Sequence, residues 1–293
     1  MNGKVIVITG ASGGIGAALA ELVSARGARV ALLARREKEL REVAARCGPE
    51  ALALVSDVTR RAEVEGALTA SLARFGYVDV WVNNAGRGIT RLVSELTDED
   101  SDEMMQVNVK SALYGMQAVL PHLRQRGRGH IINVSSMLGR MPFAVVRSAY
   151  SAAKHAVNSL TANLRMELHA DYPKIHITSV HPGVVATEFG VHARHGGIDS
   201  RQMPGAQTAQ EVAQVIADVI DHPRADVYTR PGAQQMVVGY YTAEDMGLAE
   251  QQPPFVPARA PRKRAAGSRS RRGLSPPRLT AHPSPLSPCE RLG

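Results

Sequence analysis

The chain has 293 residues, of which 44% are apolar and 21% are charged, and its formal net charge is +8. This balance is typical of a folded globular protein and excludes collagen-like, mucin-like and wholly disordered chains. No apolar run approaches the roughly 20 residues needed to cross a bilayer, so we predict no membrane span, no secretory signal and a cytoplasmic location. The two cysteines, Cys47 and Cys289, are too few for a disulfide framework or a four-thiolate metal site.

Short runs rich in Val and Ile alternate with longer segments of helical periodicity up to residue 250. The predicted strands are residues 5–9, 30–34, 51–56, 78–83, 130–135, 175–180 and 226–229. Most of them are apolar on both faces, as strands buried in a parallel sheet should be. Thr208 and Glu211 form a capping-box pattern before one amphipathic helix. We therefore predict an α/β fold: a single doubly wound, Rossmann-type domain with a seven-stranded parallel sheet and helices on both faces.

A glycine-rich turn follows the first predicted strand and leads directly into a helix. Glycine is needed where a pyrophosphate approaches the main chain closely, and the free N–H groups of the helix attract phosphate. The position between a strand and an amphipathic helix favours a dinucleotide site over a merely tight turn. The candidate cofactor-binding residues of this turn are Gly10, Ser12, Gly14, Ile15 and Gly16.

Two arginines, Arg35 and Arg36, follow the second predicted strand, where an NAD site usually carries an acid for the ribose 2′-hydroxyl. A guanidinium group there attracts a 2′-phosphate. We therefore predict a preference for NADP(H), with NAD(H) as the alternative. The competing interpretation is that one or both arginines are solvated at a helix start.

The next two strands also end in polar residues. Asp57 and Val58 end the third strand, and Asn84, Ala85 and Gly86 follow the fourth. Ligands bind at the carboxyl ends of strands in a doubly wound sheet, so these residues are further candidates for cofactor contacts. Asp57 is expected to accept from the adenine amino group, whereas the asparagines could equally stabilise a turn.

Tyr150 and Lys154 lie four residues apart on a predicted helix, residues 148–170, and therefore on one helical face. An adjacent ammonium group favours phenolate, so Lys154 is expected to lower the pKa of Tyr150. The phenol could then exchange a proton with a substrate oxygen. Taken alone, such a pair is usually solvated and without consequence, but here it follows a glycine turn and Ser136.

The sequence resembles the short-chain dehydrogenase/reductase family over nearly all of residues 4–240. The residues that carry the resemblance are residues 9–16, Asp57, residues 83–86, Asn108, Ser136, Gly139, Tyr150, Lys154, Pro182, Gly183 and Thr187. Each is common, but their joint order and spacing are specific. The family's active serine stands three residues before a glycine, which selects Ser136 over Ser135.

The resemblance implies a catalytic group of Ser136, Tyr150, Lys154 and Asn108. Ser136 would hold the substrate oxygen, and Tyr150 would transfer the proton while a nicotinamide transfers hydride. Lys154 would lower the Tyr150 pKa and hold the nicotinamide ribose, so that both Tyr150 and Lys154 contact the cofactor. Asn108 would hold a water that links Lys154 to solvent; the alternative is an asparagine satisfied inside a helix by a main-chain carbonyl.

Pro182, Gly183 and Thr187 would border the nicotinamide amide, with a simple strand-ending turn as the alternative for the first two. Substrate specificity would come from residues 184–207, interpreted as a mobile cationic lid, and from apolar residues between Ser136 and Tyr150. Those apolar residues could equally be core. We predict no metal site, because His192 and His195 have no acidic or thiol partner near in sequence.

The resemblance therefore implies an enzyme that interconverts a small-molecule carbonyl and alcohol with NADP(H), as a homo-dimer or homo-tetramer built on helices around residues 98–127 and 149–170. Gly13 departs from many NADP-dependent members, which carry a basic residue there, so the phosphate preference depends on Arg35 and Arg36. The alternatives are an NAD-dependent alcohol dehydrogenase and a non-catalytic NADP(H)-sensing regulatory protein.

Residues 251–293 hold nine basic residues, one acid and nine of the 17 prolines, so they carry the whole net charge. With Phe255 as their only aromatic residue they cannot bury enough apolar area to become ordered. We predict a domain over residues 1–250 and a disordered Pro/Arg-rich tail over 251–293. Basic segments can contact phosphates, but the tail lacks aromatics for base stacking, so nucleic-acid binding is not expected.

Overall fold

The computed structural model describes residues 1–256. Seven parallel strands form one sheet in the order β3-β2-β1-β4-β5-β6-β7. The strands are β1 (Val5–Thr9), β2 (Arg29–Ala34), β3 (Ala51–Val55), β4 (Val80–Asn83), β5 (Gly129–Val134), β6 (Ile175–His181) and β7 (Asp226–Tyr228). The predicted seven-stranded, doubly wound fold is confirmed, with strand ends shifted by one or two residues.

Nine α-helices occur in the part of the chain that the structure describes. They are α1 (Gly14–Ala25), α2 (Glu37–Cys47), α3 (Arg61–Phe75), α4 (Asp98–Met104), α5 (Ser111–Arg126), α6 (Ser148–Leu168), α7 (Ala209–Asp221), α8 (Ala233–Tyr241) and α9 (Met246–Ala249). A π-helical segment, Met105–Lys110, joins α4 to α5. No helix within residues 1–256 is long and apolar enough to cross a membrane.

The helices form a layer on each face of the sheet because the strands are apolar on both faces. In β1, Ile6 and Ile8 pack against the layer of α1, α2 and α7, whereas Val5 and Val7 face the layer of α3, α5 and α6. Burial of each such side chain contributes about 1.5–3 kcal/mol. The Thr208 capping box opens α7 as predicted, with the side chain accepting from the N–H of Glu211 at 3.1 Å.

The strand order reverses at β1, which pairs with β2 on one side and β4 on the other. The connection that leaves β1 passes to one face of the sheet, and the connection that leaves β4 passes to the other face. A crevice therefore opens between these two strands at their carboxyl ends. The glycine turn after β1 and the segment after β4 both lie at this crevice.

The described chain continues past the predicted domain boundary at residue 250. The Phe255 ring lies 5.0 Å from that of Tyr240 on α8. Apart from residues 251–256, the predicted disordered tail lies outside the described residues, and the domain boundary remains a prediction.

Candidate active site

The glycine turn after β1 packs directly against the segment after β4. A Cβ on Gly10 would stand 2.9 Å from Cα of Ala85, and one on Gly16 would stand 2.4 Å from the carbonyl oxygen of Gly10. The Asn84 side chain donates to the carbonyl oxygen of Thr9 at 2.9 Å. Gly10 also has a φ of +67°, a conformation that favours glycine. Only glycine therefore allows the two segments to approach so closely.

The N-terminus of α1 emerges from this turn without a side-chain cap among the described residues. Its first N–H groups can therefore donate to an anion, and the positive end of the helix dipole favours one there. Gly14 has a φ of +54°, and a Cβ on it would lie 3.3 Å from Cγ2 of Thr187. The predicted cofactor residues Gly14, Ile15 and Thr187 thus lie together at this edge.

Arg36 lies across the glycine turn. Its Nε donates to Oγ of Ser12 and its Nη2 to the carbonyl oxygen of Ser12, both at 3.2 Å. A Cβ on Gly13 would stand 2.8 Å from Nη2 of Arg36. The guanidinium group therefore occupies the place that a side chain at position 13 would take. Its Nη1 lies 3.6 Å from Glu39 and 3.9 Å from Glu188. Arg35 is also exposed, and it makes no hydrogen bond to the turn among the described residues.

Asp57 accepts from the N–H and the hydroxyl of Thr59 at 2.9 and 2.7 Å. Burial raises the pKa of Asp57, but these hydrogen bonds and the charge of Arg35 outweigh burial and leave the pKa below its usual value. The carboxylate is therefore ionised at neutral pH. Val58, beside it, is buried in the layer below.

The structure brings Ser136, Tyr150 and Lys154 together at the mouth of the crevice. Tyr150 and Lys154 lie one turn apart on α6 and are only 7% and 4% exposed. Nζ of Lys154 donates to the carbonyl oxygen of Val134 at 3.0 Å and lies 5.6 Å from the centre of the Tyr150 ring. Ser136 follows β5, and its hydroxyl accepts from the N–H of Leu138 at 3.1 Å.

Burial dominates the protonation of these groups. It raises the pKa of Tyr150 to about 12, although the neighbouring Ser136 hydroxyl and the Arg147 guanidinium oppose the rise. It also lowers the pKa of Lys154 to about 8. The sequence led us to expect a lowered Tyr150 pKa, whereas burial raises the pKa in the structure, where the Lys154 ammonium group donates to the Val134 carbonyl oxygen. The phenol is protonated at neutral pH and can act as a proton donor.

Asn108 lies in the π-helical segment, an element that often occurs at functional sites. Its Nδ2 donates to the carbonyl oxygens of Arg87 at 2.9 Å and Met104 at 3.1 Å, and its Oδ1 accepts from the N–H of Arg87 at 3.2 Å. A Cβ on Gly86 would stand 2.8 Å from Oδ1 of Asn108 and 3.5 Å from Nζ of Lys154. Gly86 therefore lets Asn108 and Lys154 approach each other. The hydrogen bond from Asn108 to the Met104 carbonyl oxygen also fits the competing interpretation, in which a main-chain carbonyl satisfies the asparagine inside a helix.

Pro182 and Gly183 follow β6 next to the candidate catalytic group. The carbonyl oxygen of Pro182 accepts from the N–H of Met137 at 2.8 Å, which ties this turn to the segment after Ser136. A Cβ on Gly183 would stand 2.7 Å from Nε of Arg230. The turn thus has a structural role, and its contact with a nicotinamide remains a prediction.

Sequence reasoning missed the residues that dock loop 184–207 beside Tyr150. The Phe189 ring lies 5.5 Å from that of Tyr150, edge to face. Asp100 on α4 is fully buried and accepts from Nε2 of His195 at 2.8 Å and from Arg194. No local pattern could reveal these contacts, because they join residues 39 positions apart for Phe189 and Tyr150 and 94 or 95 positions apart for Asp100 and the loop.

The apolar residues between Ser136 and Tyr150 divide into two groups. Met137 and Met141 are buried against α8 and belong to the core, as the competing interpretation held. Leu138 instead packs with Tyr150 and Ile89, while Val145 is exposed. Only part of the predicted apolar wall therefore lies near the phenol.

The crevice has the features that a nicotinamide dinucleotide requires: a glycine cradle that a Cβ would fill, an uncapped helix N-terminus and a buried Ser-Tyr-Lys group. When bound, the nicotinamide supplies or accepts a hydride. A parallel doubly wound sheet with this site defines the class of nicotinamide-dependent oxidoreductases.

The chain belongs to the short chain dehydrogenase family, whose model matches residues 4–197. It is 38% identical over 184 residues to an uncharacterized oxidoreductase of Staphylococcus epidermidis, a match that covers 63% of this chain and 79% of the relative. A short chain dehydrogenase/reductase from Burkholderia phymatum in complex with NAD has a TM-score of 0.76 and 28% identity, and the match covers 88% of this chain and 98% of that one. An alcohol dehydrogenase from the archaeon Thermococcus sibiricus complexed with 5-hydroxy-NADP has a TM-score of 0.68 and 29% identity, with 77% and 95% covered. The resemblance noted from the sequence is thus confirmed, and the protein is an oxidoreductase of this family.

Proposed function

We propose that the protein is an NADP(H)-dependent enzyme that interconverts a carbonyl and an alcohol by hydride transfer. The observation that carries this proposal is the meeting of two sets of residues at one crevice. Gly86 directly follows Ala85, which packs on the glycine turn, and a Cβ on Gly86 would stand 3.5 Å from Nζ of Lys154. Lys154 in turn lies on the same face of α6 as Tyr150. A cofactor held by the turn would therefore face the phenol.

Reduction of a carbonyl needs one hydride and one proton, and the protein's side chains would manage the proton. Ser136 would donate a hydrogen bond to the carbonyl oxygen, where negative charge develops. Tyr150, protonated because its pKa is about 12, would transfer its proton to that oxygen as the alcohol forms. Lys154, with a pKa of about 8, exists in both protonation states near neutral pH and could return a proton to the phenol. Asn108 would support Lys154 from the other side of Gly86.

The preference for NADP(H) is supported by the position of Arg36. Its guanidinium group takes the place of the basic side chain that many NADP-dependent relatives carry in the glycine turn. A 2′-phosphate bound there would accept charge-assisted hydrogen bonds and would compete with Glu39 and Glu188 for Arg36. Arg35 and Asp57 would lie beside the adenosine.

The experiment that tests the proposed function is a panel of ketones, aldehydes and alcohols assayed with NADPH, NADH and their oxidised forms at the nicotinamide absorbance. Turnover with NADPH at a higher kcat/KM than with NADH supports the proposal. Turnover with NADH alone would favour an NAD-dependent alcohol dehydrogenase. Cofactor binding without any turnover would favour a regulatory protein that senses the nucleotide.

The proposal includes a homo-dimer or homo-tetramer built on the helices around residues 98–127 and 149–170, which are α4, α5 and α6. Sedimentation velocity of the purified chain measures this directly. A monomer at micromolar concentration would contradict it.

A further inference from the structure

Arg147 is a half-buried cation next to the candidate proton donor. It immediately precedes α6 and lies three residues before Tyr150. Burial lowers the pKa of Arg147, and its positive charge in turn lowers the pKa of Tyr150. The two groups are therefore close enough to influence each other's charge.

Two glycines make room for the Arg147 guanidinium group. A Cβ on Gly88 would stand 3.0 Å from Nη1 of Arg147, and one on Gly197 would stand 3.1 Å from Nη2. Gly88 belongs to the segment after β4, and Gly197 belongs to loop 184–207. The guanidinium group thus lies between the two segments that flank the phenol, where a substrate would bind.

No carboxylate among the described residues compensates the charge of Arg147, in contrast to its neighbours. Arg87 and Arg194 pair with Glu103, and Arg91 lies 3.5 Å from the carboxylate of Asp100. Within residues 1–256, Arg147 has no carboxylate within 4 Å and uses one N–H, which donates to the carbonyl oxygen of Ile89 at 3.0 Å.

A half-buried cation without a counter-ion is costly unless a ligand supplies one. A guanidinium group offers five donors in a planar fork, and in the described part of the chain only one of those on Arg147 is engaged. Its other nitrogens are not sealed in the interior. The group best matched to that fork is a planar carboxylate, which can accept two parallel hydrogen bonds.

We infer that Arg147 binds a carboxylate of the substrate, so that the enzyme acts on short oxo acids and the corresponding hydroxy acids. Arg147 donates to the carbonyl oxygen of Ile89, and the Ile89 side chain packs in one cluster with Tyr150. The carboxylate would therefore lie only a few bonds from the carbonyl that Tyr150 protonates. This inference rests on the proposed function and adds the substrate class to it.

The test compares each of three oxo acids, pyruvate, acetoacetate and levulinate, with its methyl ester as substrates for NADPH-dependent reduction. We expect the full chain to prefer at least one acid over its ester. Arg147→Gln should lower the acid-to-ester ratio of kcat/KM about 10- to 100-fold, the size expected for a hydrogen bond to a charged group. The loss should appear mainly in KM for the acid, because the interaction is made before reaction.

Arg147→Lys keeps the charge without the fork and should restore part of the ratio. Arg87→Gln is the matched control, because Arg87 adjoins Gly88 in the segment after β4 but is neutralised by Glu103; it should leave the acid-to-ester ratio unchanged. An unchanged ratio in Arg147→Gln, or a wild-type enzyme that reduces esters or neutral ketones but shows no preference for any acid, overturns the inference alone.

A binding measurement separates this inference from the proposed function. Calorimetric titration of the same acids and esters into the NADP-saturated protein reports affinity without turnover. If no carbonyl is reduced, the proposed function fails, but acid binding that is lost in Arg147→Gln still supports the carboxylate site. Equal affinity for acid and ester would overturn it.

Discussion

Tyr150 and Lys154 have protonation states set by their burial rather than by each other. The Tyr150 pKa of about 12 keeps the proton on the phenol, and the Lys154 pKa of about 8 weakens the hold of the amine on its own proton. Desolvation disfavours the charged form of each group. Burial therefore keeps the phenol in the protonated form that the proposed reduction of a carbonyl would need.

The buried Lys154 predicts a specific dependence of stability on pH. Its pKa is about 8 in the folded protein and 10.5 when exposed, so the unfolded chain binds more protons between these values and stability rises with pH there. The free-energy cost of burying the charged ammonium group is complete below pH 8, where Lys154 is protonated in both states. It disappears above about pH 10.5, where the amine is neutral in both states. Relative to Lys154→Met, the wild-type free energy of unfolding should therefore increase by roughly 3 kcal/mol over this window.

Urea denaturation at several pH values measures this difference. Lys110→Met, at an exposed lysine, is the control and should run parallel to wild type. Parallel curves for wild type and Lys154→Met would contradict the prediction.

Arg36 is the residue on which we expect the cofactor preference to depend. Arg36→Ala should weaken NADPH binding by about tenfold or more, because a charge-assisted contact to the 2′-phosphate is lost. NADH binding should change little. Fluorescence titration with both nucleotides checks this, with Arg41→Ala as a control on the same helix, since Arg41 pairs with Glu37. An equal loss for NADPH and NADH would remove Arg36 from the phosphate site.

At the scale of elements, α4 caps itself and docks loop 184–207 with the same carboxylate. Asp100 accepts from the N–H of Thr97 at the start of α4 and also from His195 and Arg194 in the loop. Burial raises the pKa of Asp100, but the hydrogen bonds from His195 and Arg194 outweigh burial and keep the pKa well below its usual range. If loop 184–207 is a mobile lid, its opening requires these contacts between the loop and Asp100 to break.

Replacing Asp100 with asparagine should release the loop while leaving the sheet intact. The asparagine side chain is neutral and cannot form an ion pair with Arg194. The backbone N–H hydrogens of residues 188–200 should therefore exchange about tenfold faster or more. Hydrogen–deuterium exchange followed by mass spectrometry measures this. Asp98→Asn, at an exposed position in the same first turn, should leave exchange in the loop unchanged; equal protection in both variants would show that Asp100 does not hold the loop.

The elements also show what a sequence can and cannot predict. The seven strands were predictable because most of them are short apolar runs whose two faces both meet helices. The π-helical segment around Asn108 was not, because one extra residue per hydrogen-bonded ring leaves little trace in the hydrophobic pattern. Tyr150 and Lys154 could be found from their spacing and motif. Their pKa shifts, and the position of Arg36 over Gly13, depend on packing between distant parts of the chain.

At the scale of the whole molecule, the end of the described chain closes one edge of the core. Phe255 packs with Tyr240, Met137 and Met141 in a cluster beside the candidate site. Residues beyond Val256 carry seven of the tail's nine prolines and all of its charged residues, but its one aromatic residue, Phe255, lies before them. The contribution of the C-terminal region to folding should therefore end near residue 256.

Two truncations test this division. A chain ending at Val256 should keep the melting temperature and the NADPH-dependent activity of the full chain. A chain ending at Gln252 loses the Phe255 ring and should melt about 2–4 °C lower, since a partly buried aromatic contributes on the order of 1 kcal/mol. Scanning calorimetry distinguishes them, and equal melting temperatures for both truncations would exclude a structural role for Phe255.

The phenol of Tyr150 is the group on which the proposed reaction depends most. Tyr150→Phe removes the oxygen but keeps the ring that packs against Phe189, and Tyr240→Phe is the control at a second buried tyrosine. With the best carbonyl substrate, Tyr150→Phe should lower kcat/KM for NADPH-dependent reduction by about 100- to 10,000-fold, the contribution of a positioned proton donor, while the Kd for NADPH stays within about threefold. A Tyr150→Phe enzyme that binds NADPH normally and still reduces the substrate within tenfold of the wild-type rate would contradict the role of the phenol.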